Sequence, residues 1–213
     1  MNQRNNILRI VAACGASMAW FAVILQLYLM IQFRVKDLPE TIIRFFSYFT
    51  ILTNILVAVY FTTICLKPES KQGRFFLKAQ TATAITVYIM VVGIVYNLVL
   101  RSLWQPQGLQ LPVDELLHSV IPVFTFLFWI ILADKSGIAW THVFKWLIYP
   151  AIYLVFVLFR GALSGFYPYP FIDVKQLGYA DAMINSCFLF FAFLLLSLLM
   201  VGIAKMMNRV FAG

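Results

Sequence analysis

Two side chains in the sequence, Thr50 and His118, are of the types that carry out nucleophilic catalysis together. A threonine hydroxyl is almost wholly protonated near neutral pH, so it becomes a useful nucleophile only when a neighbouring base accepts its proton. Neutral histidine is the usual base in such pairs. Because the two residues lie far apart in the sequence, the elements that carry them decide whether they can meet.

The composition indicates an integral membrane protein. Of the 213 residues, 63% are hydrophobic and 11% are charged, whereas a soluble domain carries about 25% charged residues. These values exclude a soluble, nucleic-acid-binding, disulfide-bonded or disordered protein. The net charge of +8 has an ordinary explanation in a membrane protein, because basic residues collect on the cytoplasmic side of the spans.

Six stretches are long and apolar enough to cross a bilayer, which takes about 20 predominantly apolar residues in a helix. They cover residues 10–33, 45–66, 79–100, 116–133, 144–163 and 183–204. We therefore predict a single domain, residues 1–213, that folds as an all-α membrane protein with a six-transmembrane-helix bundle. A long aromatic loop, residues 161–179, joins the fifth span to the sixth and is expected to cover the outer end of the bundle.

The distribution of charge predicts the orientation of the bundle. Ten of the 16 Lys and Arg residues lie at the two ends of the chain or in the second and fourth connections, and six of the eight Asp and Glu residues lie on the other face. Positive charge marks the cytoplasmic side. Both the N-terminus and the C-terminus are therefore expected to be cytoplasmic.

A layer of polar side chains is predicted near the outer surface. Counting about 20 residues from the inner basic anchor of each span locates its outer boundary. Close to these boundaries, every span carries one polar side chain: Gln26, Thr50, Asn97, His118, Arg160 and Asn185. The inner halves are nearly all apolar. Thr50 and His118 are therefore expected at the same depth.

Helical spacing predicts a polar face on each of two spans. On the second span this face comprises Arg44, Ser47, Thr50 and Asn54. On the fourth span it comprises Glu115, His118, Pro122, Thr125 and Trp129. Polar groups are costly in lipid and usually face the bundle interior or a wet cavity. The two faces are expected to point toward each other.

Most of these residues also have structural explanations. A threonine in a membrane helix commonly bonds the carbonyl four residues earlier, and Asn97, Asn185 and Gln26 could serve only as hydrogen-bonding contacts between helices. Arg101 and Arg160 could reach lipid headgroups or pair with an acid. The acids available to them are Asp114, Glu115 and Asp181.

No metal ion or other cofactor is expected. The second histidine, His142, falls on the predicted cytoplasmic face and cannot share a metal ion with His118. The three cysteines show no paired or metal-ligand spacing and are expected as core thiols. They are Cys14, Cys65 and Cys187.

Three segments, taken together and in this order, resemble a known membrane family. They read FFSYFTILTN at 45–54, LHSVIP at 117–122 and RGALSGFYPYPFID at 160–173. They resemble the bacterial six-span branch of the androgen-induced (FAR-17a-like) integral-membrane family, whose animal members are threonine hydrolases of fatty acid esters of hydroxy fatty acids. The resemblance implies a nucleophilic threonine on the second span and a catalytic histidine upstream of a proline on the fourth.

Thr50 and His118 match the two residues that the resemblance implies. The animal pattern spaces the threonine and the following asparagine more closely than Thr50 and Asn54, so Thr53 and Ser47 stay open as alternative nucleophiles. The expected function is hydrolysis of a membrane lipid ester that enters from the outer leaflet. Substrate-binding roles are expected for Ser47, Asn54, Asn97, Arg160 and Asn185.

Two other functions are compatible with the sequence. One is a non-enzymatic lipid-binding or assembly protein, in which the polar layer holds helices or a headgroup. The other is a transporter of small solutes, which the apolar inner half disfavours because transport needs a polar path through the whole membrane. In each case the partners are the bilayer and its lipids, nucleic acid is not expected, and the aromatic loop favours a bacterial plasma membrane.

Overall fold

The computed structural model describes residues 3–212, so Met1, Asn2 and Gly213 of the predicted domain 1–213 lie outside the described residues. Within that range the chain is helical with short connections and contains no strand. Six of its helical segments are long and apolar enough to cross a membrane. The prediction of an all-α fold with six helices able to span a membrane is therefore confirmed.

The ten α-helices are interrupted by two π turns and one short 3₁₀ turn. The first half contains α1 Gln3–Gln32, α2 Leu38–Phe45, α3 Phe49–Leu66, α4 Lys71–Phe76, α5 Ala79–Val95 and the π turn Tyr96–Leu100. The second half contains α6 Gln110–Glu115, the π turn Leu116–Val120, α7 Ile121–Ile131, α8 His142–Trp146, α9 Ile148–Ser164, the 3₁₀ turn Pro170–Ile172 and α10 Val174–Ala212.

Consecutive spans run in alternate directions. The connections 33–48, 101–109 and 165–173 therefore share one end of the bundle, which we call the site end. The connections 67–78 and 132–147 share the opposite end with the start of α1 and the end of α10. Two contacts join these helices to that end, since Arg9 Nε donates to the Cys65 carbonyl at 2.9 Å and Asn208 Nδ2 donates to the Lys135 carbonyl at 2.8 Å.

The second span begins later than predicted, at Phe49 rather than at residue 45. Residues 46–48 break the helix because the Ser47 hydroxyl donates to the Ile43 carbonyl at 2.7 Å, while Tyr48 adopts an extended backbone. Short polar side chains compete with the helical hydrogen-bond pattern in this way. Arg44 therefore belongs to α2, and the predicted single face from Arg44 to Asn54 is wrong.

The loop after the fifth span is shorter than the predicted 161–179. Helix α9 continues to Ser164 and ends at Gly165, whose φ of 70° lies in the left-handed region that terminates many helices. Helix α10 then begins at Val174 and is interrupted at Gly178, whose backbone is not helical (φ 78°, ψ 167°). The segment between α9 and α10 is thus 165–173, and we call it the aromatic loop. Most of its side chains pack against the bundle.

The core lies between the spans and is richest in aromatic side chains toward the opposite end. Tyr60, Phe61 and Phe128 are nearly inaccessible and meet edge to face, and α1 packs along α3 while α5 packs on α7. The three cysteines are free, as expected. Cys14 and Cys187 are nevertheless exposed on the helix surface, so the prediction that all three are core thiols is wrong.

Candidate active site

His118 lies in the π turn that joins α6 to α7. In this turn the Ile121 N–H donates to the carbonyl of Leu116, five residues earlier. The next donor in the same pattern would be the nitrogen of Pro122, which carries no hydrogen. The carbonyl of Leu117 is therefore left without a backbone donor, and a buried carbonyl needs one.

Two asparagine side chains from neighbouring spans supply hydrogen bonds to this turn. Asn54 Nδ2 on α3 donates to the Leu117 carbonyl at 3.2 Å and to the Thr50 carbonyl at 2.9 Å. Asn97 Nδ2 on the other π turn donates to the His118 carbonyl at 3.3 Å. The amides thus fix the backbone that carries His118.

Gly93 allows the third span to approach this turn closely. A Cβ atom at that position would lie 3.0 Å from both the His118 carbonyl oxygen and Pro122 Cβ. That distance is tighter than ordinary van der Waals contact, so any larger residue would separate the two spans. The absence of a side chain at Gly93 therefore sets the position of the π turn.

The surroundings of the His118 ring determine which nitrogen can act as a base. Nδ1 lies 2.9 Å from the backbone carbonyl of Asp114, and because a carbonyl can only accept, Nδ1 carries the hydrogen. Nε2 is then the unprotonated nitrogen of the neutral ring. The Asp114 carboxylate lies 3.7 Å from Nδ1, and the Tyr96 ring stacks on the imidazole with centroids 3.9 Å apart.

Tyr96 also holds Asp114 in place. The Tyr96 hydroxyl donates to Asp114 Oδ2 at 2.8 Å, and Gln110 Nε2 approaches Asp114 Oδ1 at 3.5 Å. The carboxylate therefore has fixed partners on both oxygens beside the His118 ring. This arrangement has the order of groups found in hydrolytic triads, in which an acid side chain supports the histidine that activates a hydroxyl.

Thr50 lies in the first turn of α3, directly after the break at 46–48. Its hydroxyl differs from those of five other threonines in the spans, which donate to the carbonyl four residues earlier in their own helix. These are Thr62, Thr63, Thr83, Thr86 and Thr125. Thr50 Oγ1 instead lies 3.3 Å from the hydroxyl of Tyr169 in the aromatic loop. The helix break thus leaves this hydroxyl outside the helical pattern.

Thr50 and His118 share the wall between two cavities. The smaller cavity, of about 80 Å³, lies among α5, α9 and α10, and apolar side chains form most of its lining. The larger cavity, of about 520 Å³, extends to the surface past Phe33 and Val35, which are 76% and 87% exposed. Five residues line both cavities: Thr50, Tyr96, Leu100, His118 and Tyr169. No hydrogen bond joins Thr50 directly to His118.

The alternative nucleophiles Thr53 and Ser47 lie elsewhere. Thr53 is fully buried with its hydroxyl 3.3 Å from that of Tyr149, and the Ser47 hydroxyl is used within α2. Neither residue belongs to the lining of the two cavities. Of the three residues considered, Thr50 is the one that lines the same cavities as His118.

The other predicted substrate-binding residues lie around the cavities rather than in their walls. Asn54 and Asn97 bond the π turn, and Asn185 Nδ2 donates to the Phe171 carbonyl in the aromatic loop at 3.0 Å. Gln26, which was predicted as part of the outer polar layer, lines the larger cavity and accepts a hydrogen bond from Gln110 at 2.7 Å.

Arg160 pairs with an acid that the sequence did not suggest. Its Nη2 donates to Glu40 Oε1 at 3.0 Å, and its Nη1 donates to Ser164 Oγ and approaches the Phe166 carbonyl. The expected partners Asp114, Glu115 and Asp181 are not in contact with it. Arg101, in contrast, pairs with Glu115 as one of the predicted alternatives.

Glu40 connects two arginines at the site end. It accepts from Arg44 at 2.8 Å as well as from Arg160, and both guanidinium groups lie over the ring of Phe166. The hydrogen bond from Arg44 holds the pKa of the Glu40 carboxyl below its ordinary value. This cluster joins α2, α9 and the aromatic loop.

The aromatic loop supplies a residue of the site that the sequence did not single out. Tyr169 is buried, and its hydroxyl accepts the Thr50 N–H at 3.1 Å. Its position against Thr50 depends on the fold of the loop, and the only sequence signal was the unusual density of aromatic residues and prolines at 166–171.

No protein-family model, curated protein or solved structure matches the chain. The described part of the chain also contains no cluster of His, Cys, Asp and Glu that could hold a metal ion.

Proposed function

We propose that the protein is a lipid ester hydrolase of the membrane, in which Thr50 is the nucleophile and His118 is the general base. The observation that carries the proposal is that Thr50, whose hydroxyl bonds outside its own helix, lines both cavities together with His118. The resemblance to the FAR-17a-like threonine hydrolases supports the same pair, and we propose membership of that family.

The proposed reaction passes through an acyl-enzyme. Thr50 Oγ1 forms a bond to the ester carbonyl carbon while its proton moves to His118 Nε2, and the carbonyl electron pair moves onto the carbonyl oxygen. The ester C–O bond then breaks, and the imidazolium returns the proton to the leaving alkoxide. Water, activated by His118 in the same way, hydrolyses the acyl-threonine.

Asp114 supports His118 in both steps. The backbone carbonyl of Asp114 holds the hydrogen on Nδ1, and its carboxylate at 3.7 Å stabilises the positive charge that develops on the ring. Asn54 and Asn97 act as positioning residues for the π turn, rather than as direct ligands of the substrate. Asn185 and Arg160 position the aromatic loop.

The two cavities suggest how a substrate is oriented. The small apolar cavity, at about 80 Å³, has room for the first few carbons of an acyl chain, while the larger cavity suits an alcohol portion that ends in an anionic group. Three basic residues, Arg34, Lys36 and Arg44, line the larger cavity, and among its described lining residues the one acid is Asp114. A fatty acyl ester of a hydroxy fatty acid has this combination of a central ester and a free carboxylate.

The charge distribution supports an orientation with both termini in the cytoplasm and the site end at the outer leaflet. The basic residues of the opposite end include Lys67, Lys71, Arg74 and Lys78. Substrate would then reach the larger cavity from the outer leaflet. The resemblance of the aromatic loop to the bacterial branch of the family favours a bacterial plasma membrane as the location.

Hydrolysis by the purified protein in lipid nanodiscs tests the proposal. A panel of fatty acyl esters with and without a free carboxylate is assayed for wild type, Thr50→Ala, His118→Ala and Thr53→Val. We expect both alanine variants to lose at least about 10³-fold in rate, while Thr53→Val stays within about threefold because its hydroxyl lies outside the cavities. Full activity in either alanine variant contradicts the assignment.

Covalent labelling separates the enzyme from a non-enzymatic lipid binder with the same cavities. An activated alkyl phosphonate reacts with a nucleophilic hydroxyl that a base activates. Labelling that requires both Thr50 and His118 supports catalysis, whereas tight lipid binding without hydrolysis or labelling supports the binder.

A further inference from the structure

Tyr169 brings a second hydroxyl to the proposed nucleophile. Its hydroxyl meets two atoms of Thr50, since Oη accepts the Thr50 N–H at 3.1 Å and lies 3.3 Å from Thr50 Oγ1. The side chain is 8% exposed and lines both cavities. The hydroxyl is thus buried at the point where the ester would react.

Two aromatic neighbours hold the Tyr169 ring in place. The ring stacks on Phe171 with centroids 5.1 Å apart and 6° between the planes, and it meets Tyr48 edge to face at 5.8 Å. The loop itself is tied down by the hydrogen bond from Asn185 to the Phe171 carbonyl and by the Ile172 N–H to the Tyr169 carbonyl at 3.2 Å. A donor held rigidly before the reaction is what stabilises a developing charge best.

The Tyr169 hydroxyl has a single proton to donate. One lone pair of Oη is occupied by the Thr50 N–H, so its single proton can go to Thr50 Oγ1 or to an oxygen placed beside it. In the tetrahedral intermediate the former carbonyl oxygen and Thr50 Oγ1 are bonded to the same carbon. A donor that already reaches one of these oxygens therefore lies close to the other.

We propose that the Tyr169 hydroxyl is the oxyanion donor of the site, an inference that rests on the proposed ester hydrolysis. When Thr50 Oγ1 bonds to the carbonyl carbon and its proton moves to His118 Nε2, the electron pair of the C=O π bond moves to oxygen. Tyr169 Oη–H donates a hydrogen bond to that oxyanion and keeps its proton. When the ester C–O bond breaks, the electron pair returns and the Tyr169 hydrogen bond weakens.

The protonation of Tyr169 suits this role. Burial raises the pKa of its phenol to about 12, against a smaller lowering by the hydrogen bonds from Thr50. The hydroxyl therefore stays a donor throughout the pH range in which His118 can act as a neutral base.

Tyr88 offers a matched control. Its hydroxyl is also buried and donates to the Trp146 carbonyl at 2.8 Å, but the residue lines neither cavity. Tyr88→Phe therefore removes a buried hydroxyl of the same type from outside the proposed site.

The test compares kcat and KM for wild type, Tyr169→Phe and Tyr88→Phe on the best ester substrate. We expect Tyr169→Phe to lower kcat by about 10²-fold to 10³-fold with little change in KM, while Tyr88→Phe stays within about threefold. Equal kcat for wild type and Tyr169→Phe overturns this inference alone. A wild-type protein that hydrolyses no ester overturns the proposed function and this inference together.

Replacing Tyr169 by 3,5-difluorotyrosine distinguishes an oxyanion donor from a tyrosine that only packs against Thr50. Fluorination lowers the pKa of the phenol while keeping its shape. We expect a variant that is active at neutral pH and loses activity as pH rises, on a limb that wild type lacks. A pH profile that matches wild type overturns the proposal, even if Tyr169→Phe fails to fold.

Discussion

The two ends of the bundle differ in how regular their helices are. At the site end the backbone leaves regular α-helix at residues 46–48, in the π turns at 96–100 and 116–120, and in the aromatic loop. At the opposite end α3, α5 and α7 run without interruption. Their hydroxyls bond their own helices, as Thr62 and Thr83 do.

The difference shows where the chain accepts irregular backbone. Within a membrane, a carbonyl or N–H that leaves the helical pattern needs a protein partner or a wet cavity. At the site end these partners are side chains from other spans: Asn54 and Asn97 for the π turn of His118, and Tyr169 for the first turn of α3. The exceptions to regular helix therefore surround the candidate active site, and changes at the two ends should have different consequences.

The largest effect is expected from Asn54→Leu at the site end. The change removes the donor to the Leu117 carbonyl, so the turn that carries His118 loses its support. Misplacement of a catalytic group by about 1 Å can cost about 10²-fold in rate, and an unpaired buried carbonyl costs about 1–3 kcal/mol. Hydrolysis rates and thermal unfolding in nanodiscs measure both losses.

The double variant Asn54→Leu with Pro122→Ala sharpens this test. Alanine restores an N–H that can donate to the Leu117 carbonyl in the π pattern. We expect the double variant to recover much of the lost stability. A single variant Asn54→Leu with normal rate and stability would show that the π turn needs no support from α3.

A smaller effect is expected from Asp114→Asn. The backbone carbonyl still holds the hydrogen on His118 Nδ1, so the neutral tautomer survives and only the carboxylate charge is lost. The loss in kcat should therefore be roughly 10-fold to 100-fold, well below the ~10⁴-fold seen where the acid itself sets the tautomer. The pH–rate profile provides the check, and an unchanged rate would exclude support of the imidazolium by Asp114.

Glu40→Gln should have a weaker effect, because it loosens only the cluster that joins α2, α9 and the aromatic loop. Half-exposed ion pairs contribute about 1 kcal/mol or less, so the rate should fall by no more than about fivefold. The pKa of Glu40 is lowered in the folded protein, so its contribution to stability is present above its ordinary value of 4.5 and is lost as pH falls through the folded value.

Thermal unfolding of wild type and Glu40→Gln as a function of pH measures this contribution. We expect the two melting curves to differ at neutral pH and to converge in acid. A difference that grows in acid would contradict the linkage.

The smallest effect on rate is expected at the opposite end. Thr83→Val removes the acceptor of the Trp129 Nε1–H, which it meets at 2.8 Å in the core. Stability should fall by about 1–3 kcal/mol, while kcat measured below the melting temperature stays at the wild-type value. A fall in kcat comparable to that of Asn54→Leu would remove the contrast between the two ends.

The sequence predicted those parts of the molecule that depend on local composition. The six spans follow from apolar length, and Thr50 and His118 line the same cavities because each lies near the same end of its span. The helix break at 46–48, the π turns and the pairing of Arg160 with Glu40 were not predicted. The helix break depends on whether the Ser47 hydroxyl bonds a neighbouring carbonyl, which composition does not decide. The π turn of His118 and the ion pair depend on which asparagine or acid from another span lies within hydrogen-bonding distance, and the sequence offers several of each.

The position of Thr50 between the two cavities also bears on the order in which the products of the proposed reaction leave. After the first step the acyl group is still attached to Thr50, with its first carbons in the small apolar cavity, whereas the released alcohol leaves the larger cavity, which reaches the surface. Water must arrive through that vacated route, so the alcohol leaves first and the fatty acid second. The molecule thereby imposes an order on product departure without any moving gate.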